Sequence, residues 1–209
     1  RVEWNLGMSR RVRMLQQYDF VALLGEDFDG LPVYVHRFSQ GDPAGLAREL
    51  GEETLFLHLL RVLEDSFSVA QDRMLKSGNL CFQFVEIYDL GDYGLVPSWS
   101  HRMLAAAPVL TRFAPILDKI YPKRLRAAFV LRAPMTFSII WSLVWALLPK
   151  STRARIRICG HKASSWLSEM EKVMPRTTIP SWLRHDCINF ADVSPCGGIV
   201  PSGLGNALD

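Results

Sequence analysis

Residues 121–160 read YPKRLRAAFVLRAPMTFSIIWSLVWALLPKSTRARIRICG, and the fold class turns on this stretch. Leu125 to Arg132 is a short apolar run ended by Ala133-Pro134, the length and composition of a buried strand. Thr136 to Leu148 follows at helical length, apolar nearly all round, and Pro149-Lys150 closes it. Ser151 can start the short basic turn TRARI, after which Ile156 to Cys159 is a further strand stopped by Gly160. Strand, helix and strand in that order describe a parallel pair joined by a right-handed crossover. Between Arg132 and Lys150 lie 17 uncharged residues, including Pro134 and Pro149. A spanning helix needs about 20, so the run reads as a surface or core helix of a soluble domain.

The segments on either side extend the same pattern. Leu80 to Leu90 (LCFQFVEIYDL) is a central strand, with Leu80, Phe82, Phe84, Glu86 and Tyr88 on one face. GDYGLVP then leads into a helix from about Ser98 to Ile120, kinked or broken at Pro108 and Pro115. Upstream, Glu52 to Lys76 is a long amphipathic helix stopped by Ser77-Gly78-Asn79. Asp42 and Pro43 suit the cap and first position of a short preceding helix. Phe20 to Leu24 and Pro32 to Phe38 are neighbouring strands across the turn GEDFDG. On the second, Tyr34, His36 and Phe38 lie opposite Val33, Val35 and Arg37. Ser164 to Met174 is a last helix, ended by Pro175. Strands separated by helical lengths predict an α/β fold with a mostly parallel sheet.

At 209 residues, 49% apolar and 22% charged, the chain suits one domain with a full core. Cys81, Cys159, Cys187 and Cys196 form neither a dense disulfide framework nor a zinc-spaced cluster, and read as free thiols of a reducing cytosol. No nucleophile elbow, phosphate loop or dinucleotide fingerprint occurs, and the histidines lack metal-like spacing, so the sequence predicts no enzyme, metal or cofactor. The net charge of +3 hides a polarity: residues 119–184 carry 13 Lys and Arg against Glu169 and Glu171. Such a basic block suits an anionic membrane surface or simply solubilises one face. Nucleic acid is not expected, since no zinc finger or RNA-binding sheet motif accompanies the charge.

Several segments, in order, resemble the Sec14-like or CRAL-TRIO lipid-binding family. DGLPVYVHRF is similar to that family's "DGRPV" strand, and VEIYDLGDYGL to its strand ending in Asp-Leu and a glycine turn. Tyr121 to Gly160 resembles its most distinctive stretch: "YPER", a strand, "NAP", a gate helix and a strand ending in Gly. IPSWL (Ile179 to Leu183) and the later CGG are weaker likenesses to its close. The resemblance implies a CRAL-TRIO lobe: a mostly parallel sheet as the floor of a lipid cavity, flanked by helices and covered by an apolar gate helix. It also implies a division into residues 1–19, the remnant of a preceding helical region, and residues 20–209, the lipid-binding domain. The start on Arg1 fits a piece whose native beginning lies upstream.

From the resemblance, one lipid is the expected ligand, exchanged or presented at membranes by a cytoplasmic, peripherally associated protein. A regulatory module that recruits a protein partner is the alternative. Arg155 matches a basic position used by phosphoinositide-binding members, but Lys123 stands where their acidic partner is common. The two cations would repel unless an anion lies near them. Arg155, Lys123 and Glu86 are therefore headgroup candidates, with surface charge the other reading of the two cations. Phe84-Val85-Glu86 lacks the hydroxyl residues that help hold a choline lipid. Phe82, Phe84, Tyr88, Phe129 and Leu131 either line the cavity or pack against a helix. Phe137, Ile140, Trp141, Val144, Trp145 and Leu148 belong to the gate helix, and Arg132, Lys150 and Arg153 are the membrane-facing basic flank.

Overall fold

The computed structural model describes residues 14, 15, 17, 18, 21–38, 41–78, 82–91, 107–120, 123–133, 137–160 and 162–184. In chain order they form β1 (Val21–Glu26), β2 (Pro32–His36), α1 (Pro43–Leu50), α2 (Glu52–Ser77), β3 (Phe84–Asp89) and α3 (Ala107–Ile120). Then come β4 (Leu125–Leu131), α4 (Phe137–Leu147), α5 (Lys150–Arg153), β5 (Ile156–Ile158), α6 (Ala163–Met170) and a 3-10 turn at Ser181–Leu183. The α/β class is thus as expected, with element ends shifted by a few residues in either direction: β1 runs on to Glu26 and α6 begins at Ala163, whereas β3 spans only Phe84–Asp89. Local chemistry sets several boundaries. Asp42 accepts from the Gly45 amide at 3.0 Å with Pro43 at the head of α1, and α2 stops at Gly78 with φ 70°. The start of the helix expected from Ser98, and the segments 1–13 and 185–209, lie outside the described residues. Met14, Leu15 and Tyr18 are helical and buried against Leu46 of α1 and Leu55 and Phe56 of α2.

The five strands lie side by side in chain order, β1-β2-β3-β4-β5, with β1 antiparallel to β2 and every other pair parallel. This order has a geometric consequence. Each parallel strand is added beside the previous one, so three right-handed crossovers place their helices on the same face. The packing agrees. Leu63 and Phe67 of α2 lie on Tyr34 and Phe84, and Phe137 and Val144 of α4 lie about Val130 and Leu90. The opposite face is closed by α6 and the segment after it. Trp166, Met170, Met174, Ile179 and Leu183 cover Val33, Val35, Val85, Ile87, Phe129 and Leu131, and nearly all of these are fully buried. The Trp166 indole N–H donates to the Leu183 carbonyl at 2.8 Å, so the last helix and the chain behind it close as one unit.

Two expectations are corrected here. The parallel register aligns Ile87 with Phe129 and Asp89 with Leu131. Phe129 and Leu131 therefore belong to the α6 face, not to the face of Phe84 and Tyr88, and do not continue a shared lining. Arg132, expected to face a membrane, is buried. Its Nε and Nη2 donate to the two oxygens of Asp89 at 3.1 and 3.3 Å, and its guanidinium lies 5.4 Å from the Trp166 ring centroid. Side-chain exposures are 6% for Arg132 and 0% for Asp89, so this is an interior ion pair. Gly91 fits against it: a Cβ there would lie 2.9 Å from Arg132 Cδ and 3.3 Å from Asp89 Oδ1. Gly91→Ala is expected to lower stability by about 1–3 kcal/mol, seen as an earlier urea midpoint at unchanged slope.

Candidate functional site

The face beneath the crossover helices carries a polar and aromatic group on its two middle strands. Glu86 and Tyr88 are two residues apart on β3 and so share a face, and the register sets Tyr34 beside Glu86 and His36 beside Tyr88. The Tyr88 hydroxyl donates to Glu86 Oε2, while His36 Nε2 lies 3.6 Å from Glu86 Oε1. Three rings stack around this contact: His36 on Tyr88 at 4.9 Å, Phe38 on Tyr88 at 5.7 Å, and His36 on Phe38 at 5.8 Å. Burial pushes the Tyr88 hydroxyl well above the ordinary tyrosine range, and the Glu86 carboxylate beside it adds to the effect by charge and by accepting its proton in a hydrogen bond. Tyr88 therefore keeps its proton. Its partner Glu86, a headgroup candidate in the sequence, has Tyr88 and His36 as its described partners.

Accessibility separates this face from the other. Glu86 and His36 keep side-chain exposures of 16% and 13% in mid-sheet, whereas Val85, Ile87 and Asp89, alternating with them on β3, are fully buried. The α6 face is buried throughout, whereas the roofed face is buried at Tyr34, Phe84 and Val130 but keeps this exposure at Glu86 and His36. At one end of the roofed face, Phe84 meets Tyr34 and Phe67 edge-on at 6.4 and 5.6 Å. Phe82, half-buried, lies under the Arg124 guanidinium at 4.9 Å.

Helix α4 covers the other end. Phe137, Trp141 and Val144 are half-buried and Leu148 is buried, which makes one stripe turned to the protein. Phe137 and Val144 pack against Leu90 and Val130, as Tyr88, Phe38 and Ile156 also do. The Ile140 side chain lies outside the described residues. On the outer side Leu143, Trp145 and Leu147 are 47%, 38% and 41% exposed. Arg153 donates to the Leu148 carbonyl at 2.6 Å and lies 5.1 Å over the Trp145 ring, so it caps this helix from the next turn. Lys150 stands exposed beside it.

Lys123 and Arg155 do come together, but through the backbone. Lys123 sits in a left-handed turn with φ 58° and an exposed side chain. Its carbonyl accepts from Gln83 Nε2 at 2.8 Å and from Arg155 Nη1 at 3.4 Å, and Arg155 Nη1 also donates to the Leu125 carbonyl. Carbonyl dipoles at the head of β4 thus take the place of the missing acid. This answers the expected repulsion without an anion. Among the described residues, no group of three His, Cys, Asp or Glu could hold a metal, and Cys159 is a buried free thiol.

Sequence comparison fits this arrangement. The CRAL/TRIO domain profile matches residues 16–183. The chain belongs to the CRAL/TRIO family. CRAL/TRIO domains often bind or transfer lipids and are typically non-catalytic carriers. This CRAL/TRIO chain is 26% identical to Protein real-time of Aedes aegypti over 85% of its own length and 27% of the relative's. It is 27% identical to CRAL-TRIO domain-containing protein T23G5.2 of Caenorhabditis elegans, over 93% of the chain and 26% of the relative. The chain thus spans about a quarter of the length of these relatives. Among solved structures, the crystal structure of Sfh5 is similar at a TM-score of 0.42 and 18% identity, covering 74% of this chain and 50% of that one.

Sequence reasoning had set His36 and Phe38 on one side of their strand without a role for either. The signal was the alternation in PVYVHRF, which turns Tyr34, His36 and Phe38 to the same side as one another. What it lacked was the neighbour strand.

Proposed function

We propose that the face under the crossover helices holds one lipid molecule, and that the protein exchanges or presents it at a membrane while residing in the cytoplasm. The single observation that carries this reading is the contrast between the two faces of β3. A polar, aromatic floor whose Glu86 and His36 side chains keep 16% and 13% exposure lies on one side, and a fully buried core on the other. An acyl chain in such a space gains about 0.8 kcal/mol per buried CH₂, so release into water is slow and exchange needs a membrane. The gate helix supplies the second element. Its inner stripe, Phe137, Trp141 and Val144, meets the cavity, and its outer residues, Leu143, Trp145 and Leu147, meet the bilayer surface. No helix among the described residues is long and apolar enough to cross a membrane, so contact is peripheral in this reading. A phosphoinositide or other phospholipid remains within the class, with Lys123 and Lys150 as exposed cations near its headgroup.

The test is to purify the protein without detergent, identify co-purified lipid by native mass spectrometry, and follow transfer between donor and acceptor vesicles. One stoichiometric, displaceable lipid supports the reading. A compact protein that holds none and accepts none overturns it and favours the protein-recruiting module. Lys150→Glu is expected to weaken binding to anionic vesicles by at least about 1 kcal/mol at low salt, and less as salt is raised. Co-sedimentation across a salt series measures it.

A further inference from the structure

The floor of the site has a chemical sense. Tyr88 spends its proton on Glu86 Oε2, and His36 Nε2 stands 3.6 Å from the other carboxylate oxygen. A carboxylate has about four acceptor positions, and the phenolic oxygen keeps acceptor lone pairs after donating. Glu86 and Tyr88 therefore present acceptors, together with a negative charge, to whatever lies above them.

Resting on the lipid-binding reading, we propose that the ligand's buried end is an uncharged lipid alcohol, whose hydroxyl donates to Glu86, and that a phosphate is excluded from this position. A bare hydrocarbon would leave the spare carboxylate positions without donors, and a phosphate would set like charges together in a poorly solvated space. A hydroxyl satisfies the floor without either cost. Two cations near the sheet are already engaged: Arg155 donates to the carbonyls of Lys123 and Leu125, and Arg132 is paired with Asp89 on the opposite face, while the Lys123 and Lys150 side chains stand exposed at the surface.

Matched probes test this. Dioleoylglycerol and dioleoylphosphatidate share their chains and differ at one carbon, as do cholesterol and cholesterol sulfate at one oxygen. Each pair is offered in phosphatidylcholine vesicles to the purified protein, and captured lipid is counted by mass spectrometry. Preference for the alcohol in at least one pair, by about tenfold or more, is expected. In Glu86→Gln the charged acceptor becomes neutral, and a charge-assisted hydrogen bond is roughly twice as strong as a neutral one. The preference should then fall several-fold, while Tyr88→Phe, which keeps the ring stack and frees an acceptor position on Glu86, should retain it. Circular dichroism checks that both variants fold. Equal or preferred capture of the phosphate or sulfate member in both pairs overturns the alcohol assignment and leaves lipid binding intact. Capture of phosphatidylcholine alone has the same meaning. No capture of any lipid instead removes the reading on which the assignment rests.

Discussion

Asp89→Ala is expected to destabilise the protein by about 3–5 kcal/mol, the cost of leaving one member of a buried ion pair without its partner. Whole domains are typically stable by about 5–15 kcal/mol, so this single change should leave a population partly unfolded at 37 °C. The reason lies in the surroundings of Arg132. The side chain is 6% exposed and rests against Trp166, so its charge stays out of water when the carboxylate is lost. Urea unfolding followed by circular dichroism measures the loss. The double variant Asp89→Leu with Arg132→Met isolates the cause. Removing both charges should recover most of the stability, because a buried pair is often no better than apolar groups of similar volume. If Asp89→Ala alone costs under about 1 kcal/mol, as surface pairs do, the pair is solvated and its interior placement is wrong.

The second large effect concerns membranes. Leu143, Trp145 and Leu147 project from α4 with 47%, 38% and 41% of their surface open. Full burial of such side chains is worth about 1.5–3 kcal/mol each, and the open fraction leaves about 1 kcal/mol apiece for a bilayer to gain. Replacing all three by serine should weaken vesicle partition on the order of a hundredfold. Stability should change little, since exposed positions usually shift it within about 0.5 kcal/mol. Co-sedimentation with uncharged vesicles gives the number. Unchanged partition would mean that another surface meets the membrane.

The succession of elements could be read from the chain because strand, helix and strand differ in period and are separated by Pro and Gly. Leu125–Leu131 and Phe137–Leu147 fall inside their expected limits for that reason. Which residues face one another could not be read. Buried parallel strands are apolar on both sides, so LRAAFVLR gives no phase, and only the register with Ile87 puts Phe129 on the α6 face. Arg132 was misread for a related reason. Its neighbours in sequence suggest a basic flank, but its partner lies 43 positions away at the end of another strand. The meeting of Lys123 with Arg155 was foreseen, but its chemistry was not, because the acceptors are backbone carbonyls that no side-chain pattern reports.

That spatial and sequential strand order coincide bears on how the protein is made. Each strand can dock on the edge left by its predecessor as it leaves the ribosome, a local assembly that should be rapid for a parallel sheet. The α6 side, however, stays bare until the last described segment arrives. Until Trp166 to Leu183 is synthesised, Val85, Ile87, Phe129 and Leu131 have no cover. A nascent chain stalled before Trp166 would hold an ordered sheet with a largely apolar back, the kind of intermediate that chaperones bind. Synthesis thus passes through a sticky stage that ends when α6 and the segment behind it seal the sheet.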